Sequence, residues 1–233
     1  MSVQELKRYW KLFLSFAKAN LVLNLEYRTN MITNFITDIG WYCGSIGVFE
    51  TIFAHTSQVG GWNLDQVRVF MGVTFIVDYF FMLFVYEGID YLNQSIANGE
   101  IDLLLTKPIE SQFILAFRKM GLSFMGSGAV AISYFFWAYI QWLKSAHGAD
   151  SIYMVISYLP LLWMFLLIPS ALITIYVFRF LIASSAVFFT KAENLQFLWV
   201  QVYRLGLRPD SIFPNTVRWI FLTILPISLS ANI

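Results

Sequence analysis

From Ile152 to Phe189 the chain runs for 38 residues with a single charge, Arg179. Drawn as one α-helix, that run would be about 57 Å long, nearly twice the ~30 Å thickness of a bilayer's hydrocarbon core. The expectation is a hairpin of two membrane spans, broken near Pro169-Ser170. Elsewhere the same pattern recurs in shorter units. Apolar stretches of spanning length cover roughly 31–54, 67–86 and 120–143, separated by polar segments. Five spans follow, and the fold class expected is an all-α polytopic membrane protein. Composition agrees, since 58% of the 233 residues are hydrophobic and only 12% are charged. A soluble domain carries about 25% charged residues.

Several function classes drop out. A net charge of +1 gives no basic stripe for nucleic acid. Cys43 is the only cysteine, so no internal disulfide forms, and His55 and His147 supply at most part of a metal site. No HExxH or GxSxG occurs, and no lysine follows a glycine, which excludes the GK pair of a phosphate-binding loop. No catalytic residue and no metal ligand set is assigned. If ATP drives this protein, another chain binds it.

Residues 1–28 do not have the form of a signal peptide, because Lys7, Arg8, Lys11, Lys18, Glu26 and Arg28 are spread through them. At 100° per residue, Val3, Leu6, Trp10, Phe13, Leu14, Ala17 and Leu21 share one face, and lysines lie opposite. That is the pattern of an amphipathic helix lying in the membrane interface. The transmembrane domain then occupies 29–233. Basic residues set its orientation. Five stand in the N-terminal segment and three, Lys107, Arg118 and Lys119, between spans two and three; Arg68 and Lys144 stand alone in the other two loops. The N-terminus and the 87–119 loop are therefore expected in the cytoplasm. Lys191, Arg204, Arg208 and Arg218 disagree with the hairpin, which places them outside; a single helix would place them inside.

The 87–119 loop holds the most informative run, Asn98-Gly99-Glu100-Ile101-Asp102-Leu103-Leu104-Leu105-Thr106-Lys107-Pro108-Ile109. Asn-Gly marks a turn and Pro108 a stop. A short helix between them would show an apolar face with acidic and basic tips, suited either to a groove on a soluble partner or to the membrane surface. This run resembles the G-x-[LI]-D-x-L-L-x-[RK]-P loop of bacterial type-2 ATP-binding-cassette (ABC) permeases, closest to a six-span branch described as an uncharacterised transport system. Ile212-Phe213-Pro214, Val217-Arg218-Trp219 and Ile224-Leu225-Pro226 also look similar to that family.

The resemblance implies a permease subunit, an exporter by family habit, in the bacterial cytoplasmic membrane. Its loop residues Gly99, Glu100, Ile101, Asp102, Leu103, Leu104, Lys107 and Pro108 would couple to partner ATPase subunits. ATP and Mg would be held by those subunits, and a second permease subunit, identical or not, would complete the assembly. Residues 191–233 would form an external re-entrant segment before a sixth span, and the expectation is that this span follows Ile233.

Within the first span Asn30, Asn34 and Asp38 repeat at helical spacing, and Asp78 lies midway along the second. Intramembrane acids face a bundle interior or a water-filled cavity, so these four are candidates for a translocation path; polar packing between helices is the other reading. Gly40, Gly44 and Gly47 form a small-residue edge, for packing either within the subunit or between two. An ion-coupled transporter or channel using Asp38, Glu50 and Asp78 is the alternative function.

Overall fold

The computed structural model describes residues 3–147, 159–185, 197–199, 201–202 and 213–223. The described elements are helices, apart from one isolated bridge between Val59 and Trp62. Helix α1 spans Val3–Glu26 and α2 spans Arg28–Phe53, with Tyr27 between them. A turn containing Gly60 and Gly61 leads to α3, Leu64–Phe81, which opens on a capping box between Asn63 and Gln66. A π-helical turn, Met82–Tyr86, joins α3 to α4, Glu87–Ala97. Then come α5, Ile101–Leu105, α6, Ser111–Phe117, and a 3-10 turn, Leu122–Phe124, leading into α7, Met125–His147. Helix α8 spans Leu159–Ser184 and α9 spans Asn215–Thr223.

Among the described residues, three helical stretches are long and apolar enough to cross a membrane: Leu64–Ala97, Ser111–Ser145 and Met164–Ser184. Helix α2 has 26 residues, enough for about 39 Å, but its polar stripe sets it apart from those three. The second span does not stop at Tyr86 as the sequence implied. It continues as one 34-residue helix to Ala97, about 51 Å in all, so part of it projects beyond the ~30 Å hydrocarbon layer.

The largest correction concerns the long apolar run. Helix α8 passes unbroken through Pro169, so no hairpin turns at Pro169-Ser170. A proline removes one backbone donor, but transmembrane helices tolerate it when nearby groups re-satisfy the backbone. The group affected here is the Phe165 carbonyl, four residues before Pro169. The ends of the run, 152–158 and 186–189, and most of the expected re-entrant segment 191–233 lie outside the described residues.

Two apolar clusters hold the bundle. One is built where α3 crosses α7, around Val67, Phe70, Phe75, Ala131, Phe135 and Tyr139, with Tyr42 of α2 stacked on Phe75 at 4.3 Å. The other joins the end of α3, α4, the loop helices and α8, around Phe81, Ile89, Leu92, Leu104, Ile114 and Ile175. Outside them, Phe136 and Ile140 of α7 and Phe165, Leu166, Ile173 and Leu181 of α8 are exposed. Such an apolar surface suits lipid rather than water.

Candidate functional site

The loop after α4 takes its shape from Asn98-Gly99. Gly99 has φ +72°, a left-handed conformation that glycine adopts without strain. Its N–H donates to the Ile96 carbonyl at 3.2 Å, and that of Glu100 to the Ser95 carbonyl at 2.8 Å. These are the two bonds of a Schellman motif, which ends the helix sharply. Helix α5 follows at once. Leu104 is buried at 4% exposure and anchors it, whereas Leu103 and Leu105 stand out at 69% and 55%. Glu100, Asp102, Lys107 and Pro108 are exposed beside them. The expected apolar face with charged tips is therefore present, on a five-residue helix pinned by Leu104 and the partly buried Ile101.

Helix α1 grips the same loop from the other side. Arg8 Nη2 donates to the Pro108 carbonyl at 3.0 Å, and the Glu110 N–H donates to the Tyr9 hydroxyl at 3.3 Å. Tyr9 meets Phe113 edge-on at 4.8 Å, Phe13 meets Phe117 at 5.5 Å, and Asn20 Nδ2 donates to the Arg118 carbonyl at 2.9 Å. Leu6, Trp10, Leu14 and Leu21 remain exposed, so α1 keeps a free apolar face while clamping the loop. Sequence reasoning read only that face and missed the clamp, although Tyr9, Phe13, Phe16 and Asn20 recur at i, i+4, i+7 and i+11 and so share a second face.

The four candidate path residues, Asn30, Asn34, Asp38 and Asp78, all line one cavity of about 550 Å³. Its walls come from α2, the end of α3, the π turn, α8 and Trp199. Asn34 Nδ2 donates to the Ser123 hydroxyl at 3.0 Å, and the Ser127 hydroxyl donates a short hydrogen bond to the Asp38 carboxylate. The polar stripe thus bonds across helices and faces the cavity as well. Glu87 lies at one end of the cavity, where a second one of about 370 Å³ begins; both share Asn30 and Glu87, and the second is also lined by Asn20, Asn24 and Lys119.

Arg179 also lines the cavity. From the sequence it could snorkel to the cytoplasmic interface, with the hairpin turn several residues beyond Pro169; instead it is buried at 6% exposure, 5.1 Å above the Phe81 ring and 5.6 Å from that of Tyr86. Ala171, Ile175, Arg179 and Ala183, spaced four apart, are the buried stripe of α8. A lone charge on an otherwise uniformly apolar helix was the available signal, since such a charge turns inward. The π turn supplies Met82 and Tyr86 to the wall, and its widened backbone leaves the Leu83 carbonyl to accept from the Gly121 N–H at 3.0 Å.

Elsewhere, Glu50 is not held open for an ion. Arg68 binds it at 2.6 Å, reaches Asp65 at 3.2 Å and lies over Trp137 at 5.4 Å. His55 is exposed and its Nδ1 lies 2.9 Å from the Thr51 carbonyl. Gly40, Gly44 and Gly47 are exposed, and a Cβ added at any of them would meet no atom within 4 Å.

Comparison with known proteins adds one finding. A family model described as ABC-2 family transporter protein matches residues 39–233. No curated protein and no solved structure matches the chain.

Proposed function

This chain belongs to the ABC-2 family of transporter proteins, and from that premise we propose that it is the permease subunit of an ATP-driven exporter in a bacterial cytoplasmic membrane. The observation that carries the reading is the Gly99–Pro108 loop. Its exposed Leu103 and Leu105, flanked by Glu100, Asp102 and Lys107, form a small protruding surface for a groove on a cytoplasmic ATPase. That ATPase holds ATP and Mg; the present chain supplies the loop and the path. Two nucleotide-bound ATPase subunits move the loops, and the α1 clamp and Leu104 carry the motion into α2 and the bundle. Shifting such an equilibrium from 1:99 to 99:1 takes about 5.5 kcal/mol of preference for one state.

Export is the direction suggested by analogy with the family. With the N-terminus in the cytoplasm, Asn30 lies at the cytoplasmic end of α2, and it lines both cavities together with Glu87. Cargo enters from inside and leaves outward. Reading α8 as one crossing also returns the chain to the cytoplasm, in keeping with Lys191 and the arginines beyond it.

The test is affinity purification from mild detergent, with mass spectrometry of what accompanies the protein, run beside a Glu100→Lys/Asp102→Lys variant. An ATPase subunit present with the wild type and lost from the variant is the expected result. No ATPase with intact, dispersed wild type would move the reading to an ion-coupled transporter.

A second subunit completes the permease, and the Gly40–Gly47 edge of α2 is its contact. The edge is open within the subunit, and small residues let two helices approach closely. Gly44→Leu should leave the subunit folded and shift it toward the monomer in cross-linking or native gels. Intact dimers in that variant would place the interface elsewhere.

A further inference from the structure

The larger cavity carries information about what it holds, given the permease reading on which this inference rests. Three carboxylates, Asp38, Asp78 and Glu87, and one cation, Arg179, are among its lining residues. Glu87 also borders the adjoining cavity, where Lys119 stands. Setting those two against each other, the inner chamber still has two acids against one base among the described residues. With both acids ionised, that surplus favours a cation and disfavours an anion.

The walls add a second, independent constraint. Trp41 and Trp199 line the same chamber, and indole faces attract cations as well as apolar bodies. Trp199 is 6% exposed, and its indole Nε1 has no hydrogen-bond partner among the described residues. A buried donor without an acceptor is costly and uncommon, and a ligand acceptor would satisfy it. At about 550 Å³ the chamber lies in the usual ~300–1,000 Å³ range for small organic ligands.

We propose that the cavity binds a singly charged organic cation with a flat apolar body and one hydrogen-bond acceptor, its charge set between Asp38 and Asp78 and its acceptor on the Trp199 indole N–H. An inorganic ion would leave the aromatic walls and Trp199 unused.

Rhodamine 123, a xanthene monocation with an ester carbonyl, is a suitable probe, and fluorescein supplies a closely similar ring system with negative charge. Binding to the purified complex in nanodiscs, with its accompanying ATPase, is read by fluorescence anisotropy. Rhodamine 123 should bind saturably and fluorescein should not. Asp38→Asn and Asp78→Asn should each weaken rhodamine about tenfold, the loss of one charged contact. Asp38→Glu, which keeps the charge, should retain binding and separates charge loss from misfolding. Trp199→Phe keeps a ring against Phe178, where the stacking distance is 5.1 Å, and should weaken binding about threefold, as one neutral hydrogen bond would. Equal binding of fluorescein, rhodamine binding indifferent to both aspartates, or no rhodamine binding by a complex that still hydrolyses ATP would each overturn the assignment. In all three cases a retained ATPase would leave the permease reading standing, whereas loss of the ATPase from the wild type would remove that reading first.

Discussion

Replacing Gly72 with valine should destabilise the subunit by about 3 kcal/mol, the upper part of the usual range for overpacking a well-filled interior. Gly72 sits where α3 crosses α7. A Cβ placed there would lie 2.8 Å from the Phe135 Cα and 3.0 Å from its Cβ. The obstacle is mainly backbone, so no change of rotamer relieves it, and the two helices must separate. That separation would open the cluster of Phe70, Phe75, Ala131, Phe135 and Tyr139 packed around the crossing. In a chain of this size each kcal/mol corresponds to about 2–4 °C, so the melting point in detergent, followed by tryptophan fluorescence, should fall by about 6–12 °C. Gly40→Val, measured on the separated subunit because Gly40 lies on the proposed inter-subunit edge, is the matched control, since a Cβ there meets no atom within 4 Å. It should leave the melting point unchanged or slightly raised, since glycine is the poorer helix former. An unchanged Gly72→Val protein would mean that α3 and α7 do not approach as closely as described.

Arg179→Met should destabilise by about 2 kcal/mol, the scale of a desolvated cation over aromatic rings. Methionine keeps the apolar length and removes the charge, so the loss reports electrostatics rather than a void. The guanidinium leaves its positions over Phe81 and Tyr86, and the chamber retains Asp38 and Asp78 without their nearby cation. A double-mutant cycle separates the two contributions. If Arg179 offsets the acids, adding Asp78→Asn to Arg179→Met should recover part of the lost stability. Strict additivity would show instead that the arginine is held by the rings alone.

How much of this was legible beforehand varies by element. The membrane-crossing character was, because hydrocarbon selects against charge, but of the five spans expected the described residues give three candidates, with the second running on to Ala97 and a continuous helix in place of the hairpin. The Gly99–Pro108 loop was also legible as a turn, a short helix and a proline stop, since Asn98-Gly99 and Pro108 act through local backbone preferences. The inward placement of Asn30, Asn34, Asp38 and Asp78 followed from the cost of exposing polar groups to lipid. Pro169 was misread. A proline breaks a helix in water, where free backbone groups find solvent; among other helices in lipid, a continuous helix is the cheaper way to keep them bonded. Arg179 was misread with it, because a long basic side chain can reach an interface if the turn comes several residues after Pro169, whereas the unbroken α8 holds it over Phe81 and Tyr86. The partner of the α1 clamp face and the role of Trp199 had no local signature, since each depends on segments roughly a hundred residues or more distant in the chain.

The sequence by itself determined that this chain belongs in a membrane and where its turns fall around Asn98-Gly99 and Pro108. Those properties follow from composition and local spacing, which act on each segment independently. Only the tertiary structure decided that α8 runs unbroken through Pro169, that its arginine lines one chamber with two aspartates, and that the glycine edge of α2 is left open among the described residues. Each of these depends on which helix faces meet, and helix packing is chosen by the fit of surfaces brought together from distant parts of the chain.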